Sequence, residues 1–251
     1  MKTLFSSLLF MLTVSSIAQN PNVLNPNVNF NPMSAVSTED LFKGKETFLY
    51  YNEVYIIDGQ KVFGTPFLIH DWSDGTIIGT DGQIYSGYKL KYNAYDQSVL
   101  FQQGNDSLEV TNEIKDFTLT LKIKDSTEVL HFINANQFKK ENTKFYYEVL
   151  AEDDGGQLLR YDRKFVDDAD KSMPTLEGQK FFDMEFSYFY YDINKKKLTR
   201  IKADGSNIES ILGKDAIAKS GLSLSDYYIA TEKGLRNFFT DFFAARKKKA
   251  F

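Results

Sequence analysis

The chain has no cysteine. Disulfides, a thiol nucleophile and thiolate metal sites are therefore excluded. Histidine is almost as scarce: only His70 and His131 could serve as general bases, and both fall in stretches that read as strands. No Gly-x-Ser-x-Gly elbow is present. Nor is there a His-Glu-x-x-His pair, a phosphate loop ending in Gly-Lys-Ser/Thr, or a Gly-x-Gly-x-x-Gly turn. Triad catalysis is therefore not expected, and nothing in the sequence implies a cofactor. His70 and Asp71 are adjacent, and neighbouring strand residues point to opposite faces, so they are poorly placed to share a metal ion. "DDADKS" (Asp167 to Ser172) matches a calcium loop for three residues but lacks the Gly and the distal Glu that an EF-hand requires. It reads as a solvated acidic loop. Carboxylate-pair hydrolysis stays open, because 34 acidic residues offer many pairs and two suffice for that chemistry.

Long apolar runs are also lacking after the first residues. "MKTLFSSLLFMLTVSSIAQN" has a charged start at Lys2, an apolar run from Leu4 to Val14, and small residues at Ser16 and Ala18. This is the pattern of a secretory signal peptide over residues 1–18, cleaved after Ala18. The alternative, a membrane anchor, needs about 20 apolar residues, and this run is shorter. After cleavage the chain is expected not to span a membrane. The terminal Phe251 suits an outer-membrane barrel, but "FFTDFFAARKKKAF" has no alternation and places four cations, Arg246 to Lys249, where a strand would face lipid. The formal net charge is -4. Residues 1–18 carry Lys2 alone, so cleavage leaves -4 - 1 = -5. This mildly acidic balance argues against a nucleic-acid partner.

Residues 19–46 open with an Asn- and Pro-rich stretch in which "NPNV" occurs twice, and they read as an irregular leader. From Thr47 to Ala203, short runs of aromatic and β-branched residues alternate with polar ones and are broken by Asp-Gly or Gly. The fold class expected is mainly β (α+β). An antiparallel meander would form a sandwich, a barrel or a curved open sheet. Asp58-Gly59 and Asp81-Gly82 are hairpin turns, and "DDGG" from Asp153 is a looser one. "DGQKVFG" and "DGQIYSG" match at four positions, through either a duplicated hairpin or shared turn chemistry. Residues 204–251 change period and form a helical segment packed on the β domain. Ser206 and Glu209 suggest a capping box, and Gly213 a helix end. Thr231 is the expected N-cap of a last helix. Its Leu235, Phe238, Phe239, Phe242 and Phe243 form one stripe. The stripe should lie against the sheet, and a partner-binding helix is the alternative.

What the chain has in abundance is aromatic residues, 15 Tyr and 22 Phe beside a single Trp. In "FFDMEFSYFYYD", period two puts Phe182, Met184, Phe186, Tyr188 and Tyr190 on one face. Phe181, Glu185, Phe189 and Tyr191 take the other. Such a strand is either buried on both sides or lines a pocket for an apolar ligand or a sugar. In "YKLKYNAY", Tyr88, Leu90, Tyr92 and Ala94 form the buried face, and Lys89, Lys91, Asn93 and Tyr95 the wet one. Trp72, at a strand end, either plugs the core or stands exposed as a platform. The candidate binding residues are therefore Trp72, Tyr92, Tyr95, Phe186, Tyr188 and Tyr190.

"GTPFLIHDWSDGTIIGTDGQIYSGYKLKYNAYDQSVLF" resembles a class of uncharacterised secreted β-rich proteins of Gram-negative bacteria. The shared features are Gly64 to Leu68, Trp72 to Ile77, Asp81-Gly82 and Leu90 to Tyr95. The helical ending from Leu212 to Phe243 is similar as well. The resemblance implies an exported envelope protein and carries no catalytic residues across. Three functions follow as expectations: a non-enzymatic protein that binds an envelope ligand or protein partner, a carboxylate-dependent hydrolase of polysaccharide, or a structural subunit of an envelope assembly.

Overall fold

The computed structural model describes residues 53–111, 113–123, 126–138, 145–169 and 178–249. The signal peptide, the leader, Thr47 to Asn52 of the first expected strand, Asp170 to Ser172 of the acidic loop and Phe251 lie outside them.

Twelve strands form one sheet, almost all of it antiparallel, with helices from the C-terminal segment packed on it. The strands are β1 (Val54–Ile57), β2 (Gln60–Phe63), β3 (Ser73–Gly79), β4 (Ile84–Asn93), β5 (Ser98–Gln103) and β6 (Asp106–Glu109), then β7 (Ile114–Ile123), β8 (Ser126–Asn134), β9 (Tyr146–Asp153), β10 (Gly156–Asp168), β11 (Lys180–Asp192) and β12 (Lys197–Ile201). The helices are α1 (Gly205–Leu212), α2 (Lys214–Ser220) and α3 (Glu232–Lys249). The order across the sheet is β1-β2-β11-β10-β9-β8-β7-β3-β4-β5-β6, with β12 also pairing with β11. Of the three architectures expected from the sequence, the curved open sheet is the one found.

Ring distances reveal the curvature. Tyr92 on β4 touches Tyr146 on β9 with ring centroids 5.9 Å apart, although three strands lie between them. A flat sheet would hold them roughly 19 Å apart, at about 4.8 Å per strand. The sheet therefore curls, until Lys164 N of β10 donates to Ala94 O just beyond β4 at 3.0 Å. Ile77, Leu90, Tyr92, Phe117, Leu119, Leu130, Phe132 and Tyr146 fill the curl. The same face continues past it onto β9 to β12, where the helices cover Leu150, Leu158, Tyr190 and Ile201. The opposite face holds a smaller cluster around Ile133, Tyr147 and Leu159, backed by Phe138 and Phe145.

Local chemistry explains most of the elements. Asp58 and Gly59 both take positive φ between Ile57 and its partner Gln60. This is the two-residue turn that Asp-Gly favours. Asp81-Gly82 turns within the longer Gly79 to Gln83 loop, so the two matching strings form different turns. Asp153 to Gly156 is tighter than expected. Asp153 pairs directly with Gly156, and its carboxylate accepts from the N–H groups of Gly155 and Gly156. Thr231 caps α3, its hydroxyl accepting from Gly234 N at 3.2 Å.

Several expectations are corrected. The cap of α1 is Asp204, whose carboxylate accepts from Asn207 N at 2.7 Å; Ser206 sits inside the helix and donates to the same carboxylate. Asn93 was placed on the wet face of β4, but it is buried, and its side chain holds the 93–96 turn. The strand β6 and the helix α2 have no clear periodic signal. The parallel pairing of β2 with Lys180-Phe181 of β11 joins segments more than 100 residues apart, which no local pattern encodes.

A β-carbon at Gly234, in the first turn of α3, would overlap the carbonyl oxygen of Tyr228. Helix propensity alone would make Gly234→Ala stabilising by about 1 kcal/mol. The overlap reverses the sign, so urea unfolding of this variant should show a net loss of stability.

Candidate functional site

Strand β11 behaves as its period-two pattern requires. Phe182, Met184, Phe186, Tyr188 and Tyr190 share the face that meets the curl and the helices, and Phe189 and Tyr191 join the opposite cluster. β11 is an interior strand between β10 and the pair β2 and β12.

The six candidate binding residues are dispersed, with Trp72 beside Lys91 of β4 rather than among the residues that fill the curl. Tyr92 is only 1% exposed, packs on Phe117, Phe132 and Tyr146, and donates to Gln97 Oε1 at 2.6 Å. Burial pushes its phenol well above the ordinary value. Trp72 is half-buried, with Lys91 Nζ 5.2 Å from its ring and 4.8 Å from that of Phe67. The ammonium occupies a ring face that a sugar would need. Burial holds the Lys91 pKa below its usual range. Tyr95 meets Phe182 edge to face at 5.4 Å. Tyr190 is buried against Phe239 of α3.

Phe186 and Tyr188 lie beside a feature that the sequence did not disclose. Arg160 of β10 is 0% exposed and is held by three carboxylates. Glu148 of β9 approaches at 2.6 Å, Asp162 at 2.7 Å and Glu232 of α3 at 2.5 Å. The guanidinium lies 4.9 Å from the Phe186 ring, and Tyr188 OH donates to Glu232 at 3.0 Å. One cation faces three acids. Burial pushes the Glu148 carboxyl up to about 8 against the pull of Arg160, and it pushes Asp162 in the same direction. Burial therefore favours the protonated form of Glu148 and Asp162, against the pull of Arg160. The cluster ties α3 to the middle of the sheet, and each of its carboxylates is engaged by the Arg160 guanidinium.

Open space lies elsewhere on the sheet. Val110, which follows β6, donates its N–H to Val99 O at 2.9 Å, and Thr80 N donates to Glu113 O, just before β7, at 3.0 Å. Beside these residues a cleft of about 290 Å³ opens, lined also by Ile77 and Ile114 of the curl. Its walls are Ile77, Val110, Ile114, Tyr85, Tyr88 and Phe101, and Glu109 and Glu113 also line it. Tyr88 and Phe101 meet at 5.9 Å with their planes 81° apart. Tyr88 is 41% exposed, so half of an aromatic corner stands open to solvent. None of the six candidate residues lines this cleft. Its signal in the sequence was Tyr88, which continues the core face of β4 beyond the point where the core ends.

Among the described residues no group of three or more His, Asp or Glu side chains is arranged to hold a metal ion. No helix among them is long and apolar enough to cross a membrane. Searches against protein-family models, curated proteins and solved structures found no match to this chain.

Proposed function

We propose that this chain is an exported bacterial envelope protein that binds a small apolar ligand, or the apolar side chain of a partner, at the end of its curled sheet, and that it is not an enzyme. The observation that carries this reading is the cleft lined by β3, β4, β5 and the residues that flank β6 and β7, with its open aromatic corner at Tyr88 and Phe101. Its volume suits a small guest, since pockets for larger ligands begin near 300 Å³. The signal-peptide pattern of residues 1–18 and the resemblance over Gly64 to Phe101 support export. The polysaccharide reading is disfavoured by the perpendicular rings, which offer no flat stacking platform, and by the burial of the carboxylates around Arg160.

Calorimetric titration with propylphenol tests the reading. Saturable binding is expected, weakened about tenfold by Tyr88→Ser, which removes one wall of the corner. Tyr88 is partly exposed, so the unfolding midpoint should change little. Absence of saturable binding in the parent protein would overturn the proposal.

A further inference from the structure

The cleft has a charge as well as a shape. Its lining contains three aromatic rings, Tyr85, Tyr88 and Phe101, and two carboxylates, Glu109 and Glu113, but no Lys, Arg or His. Tyr88 and Phe101 set two walls at 81° to one another, and Tyr85 OH is turned away to Gln83 at 2.8 Å, leaving its ring as wall. The face of an aromatic ring carries the negative end of its quadrupole, so several rings around one space attract a cation whose charge is spread over carbon-bound hydrogens. An ammonium bearing alkyl groups satisfies both halves of this lining. Its methyl groups fill the apolar walls, and its charge faces the ring faces and the two carboxylates. A compact, strongly hydrated metal cation would leave Ile77, Val110 and Ile114 without a partner. An anion would meet Glu109 and Glu113.

Resting on the reading of the cleft as a ligand site, we propose that its ligand is an alkylated ammonium, held by Tyr85, Tyr88 and Phe101 and oriented by Glu109 and Glu113. The same chemistry occurs on a free solute and on a zwitterionic lipid headgroup, and the test separates these two sources.

The experiment is a calorimetric titration of the full chain with choline, with its uncharged carbon isostere dimethylbutanol, and with the anion dimethylbutanoate. Choline should bind roughly tenfold more tightly than the isostere, and the anion should not bind. In the double variant Glu109→Gln, Glu113→Gln, the preference for choline over the isostere should shrink, and an unchanged urea unfolding midpoint shows that the variant is folded. Co-sedimentation with phosphatidylcholine vesicles then assigns the source. Retention on vesicles points to the headgroup. Choline binding without retention points to the free solute. Either result upholds an ammonium ligand. If the isostere binds as tightly as choline, or the anion binds, or propylphenol alone binds, the ammonium assignment is overturned and the apolar-cleft reading stands. If propylphenol fails as well, both are overturned.

Discussion

Replacing Arg160 with Met should cost about 3–5 kcal/mol of folding stability near neutral pH, the range for removing one partner of a buried ion pair. The side chain is 0% exposed, and the three carboxylates around it come from β9, β10 and α3. Without the guanidinium, Glu148, Asp162 and Glu232 face one another with only the weaker pull of Arg236 on Glu148 to offset their charge. Arg236, the next nearby cation, is 3.0 Å from Glu128. Urea unfolding should show the loss shrinking as pH falls from 7 to 5, because the abandoned carboxyls can then take up protons.

The intact cluster has its own pH signature. Burial raises the Glu148 carboxyl from its ordinary 4.5 to about 8 in the folded chain. Between these values the folded state binds the extra proton, so the stability contributed by this group is fully present below about pH 4.5 and is lost as pH rises towards 8. Asp162 is shifted in the same direction and adds a slope of the same sign. Glu148→Gln mimics the protonated acid. It should match the parent within about 1 kcal/mol at pH 5, flatten the decline between pH 5 and 8, and be the more stable protein above pH 8. A parent whose stability rises over that interval, with the Gln variant following it, would contradict a raised Glu148 carboxyl.

Phe239→Ala is the second large effect. Phe239 is 0% exposed and packs its ring against Tyr190, Phe238 and Phe243. Cutting back a buried Phe typically costs about 3–5 kcal/mol, through lost apolar burial and the cavity left behind. The value also separates the two roles considered for α3. A helix that belongs to the core loses the full amount in chemical denaturation. A helix that leaves the sheet to engage a partner would lose less than about 1 kcal/mol. Leu235, Phe238, Phe242 and Phe243 are all at most 3% exposed, which places α3 in the core.

The stripe on α3 was legible in the sequence because a helical period and a two-fold strand period are both local, and so were the two faces of β11 and the turn at Asp58-Gly59. Asp204 was missed as a cap because Ser206 and Glu209 fit the capping pattern equally well, and only the extended backbone at Asp204 decides between them. The Arg160 cluster was invisible for a different reason. Glu148, Arg160, Asp162 and Glu232 look like ordinary surface charges on their own strands and helix; the register of β9 with β10 sets Glu148 opposite Arg160, and the docking of α3 brings Glu232 to them. The cleft draws its lining from β3 to β7, and that meeting is a tertiary event. Trp72, Tyr92, Tyr95, Phe186, Tyr188 and Tyr190 mostly serve packing, while the open corner uses Tyr85, Tyr88 and Phe101.

The most direct test of the account is a heteronuclear NMR titration of the chain with propylphenol, read residue by residue. The account predicts saturable shifts at Ile77, Tyr85, Tyr88, Phe101 and Ile114, with Leu158, Tyr190 and Phe239 unmoved. Shifts centred on Tyr190 and Phe239, or on Trp72 and Lys91, would place the binding site elsewhere and contradict it.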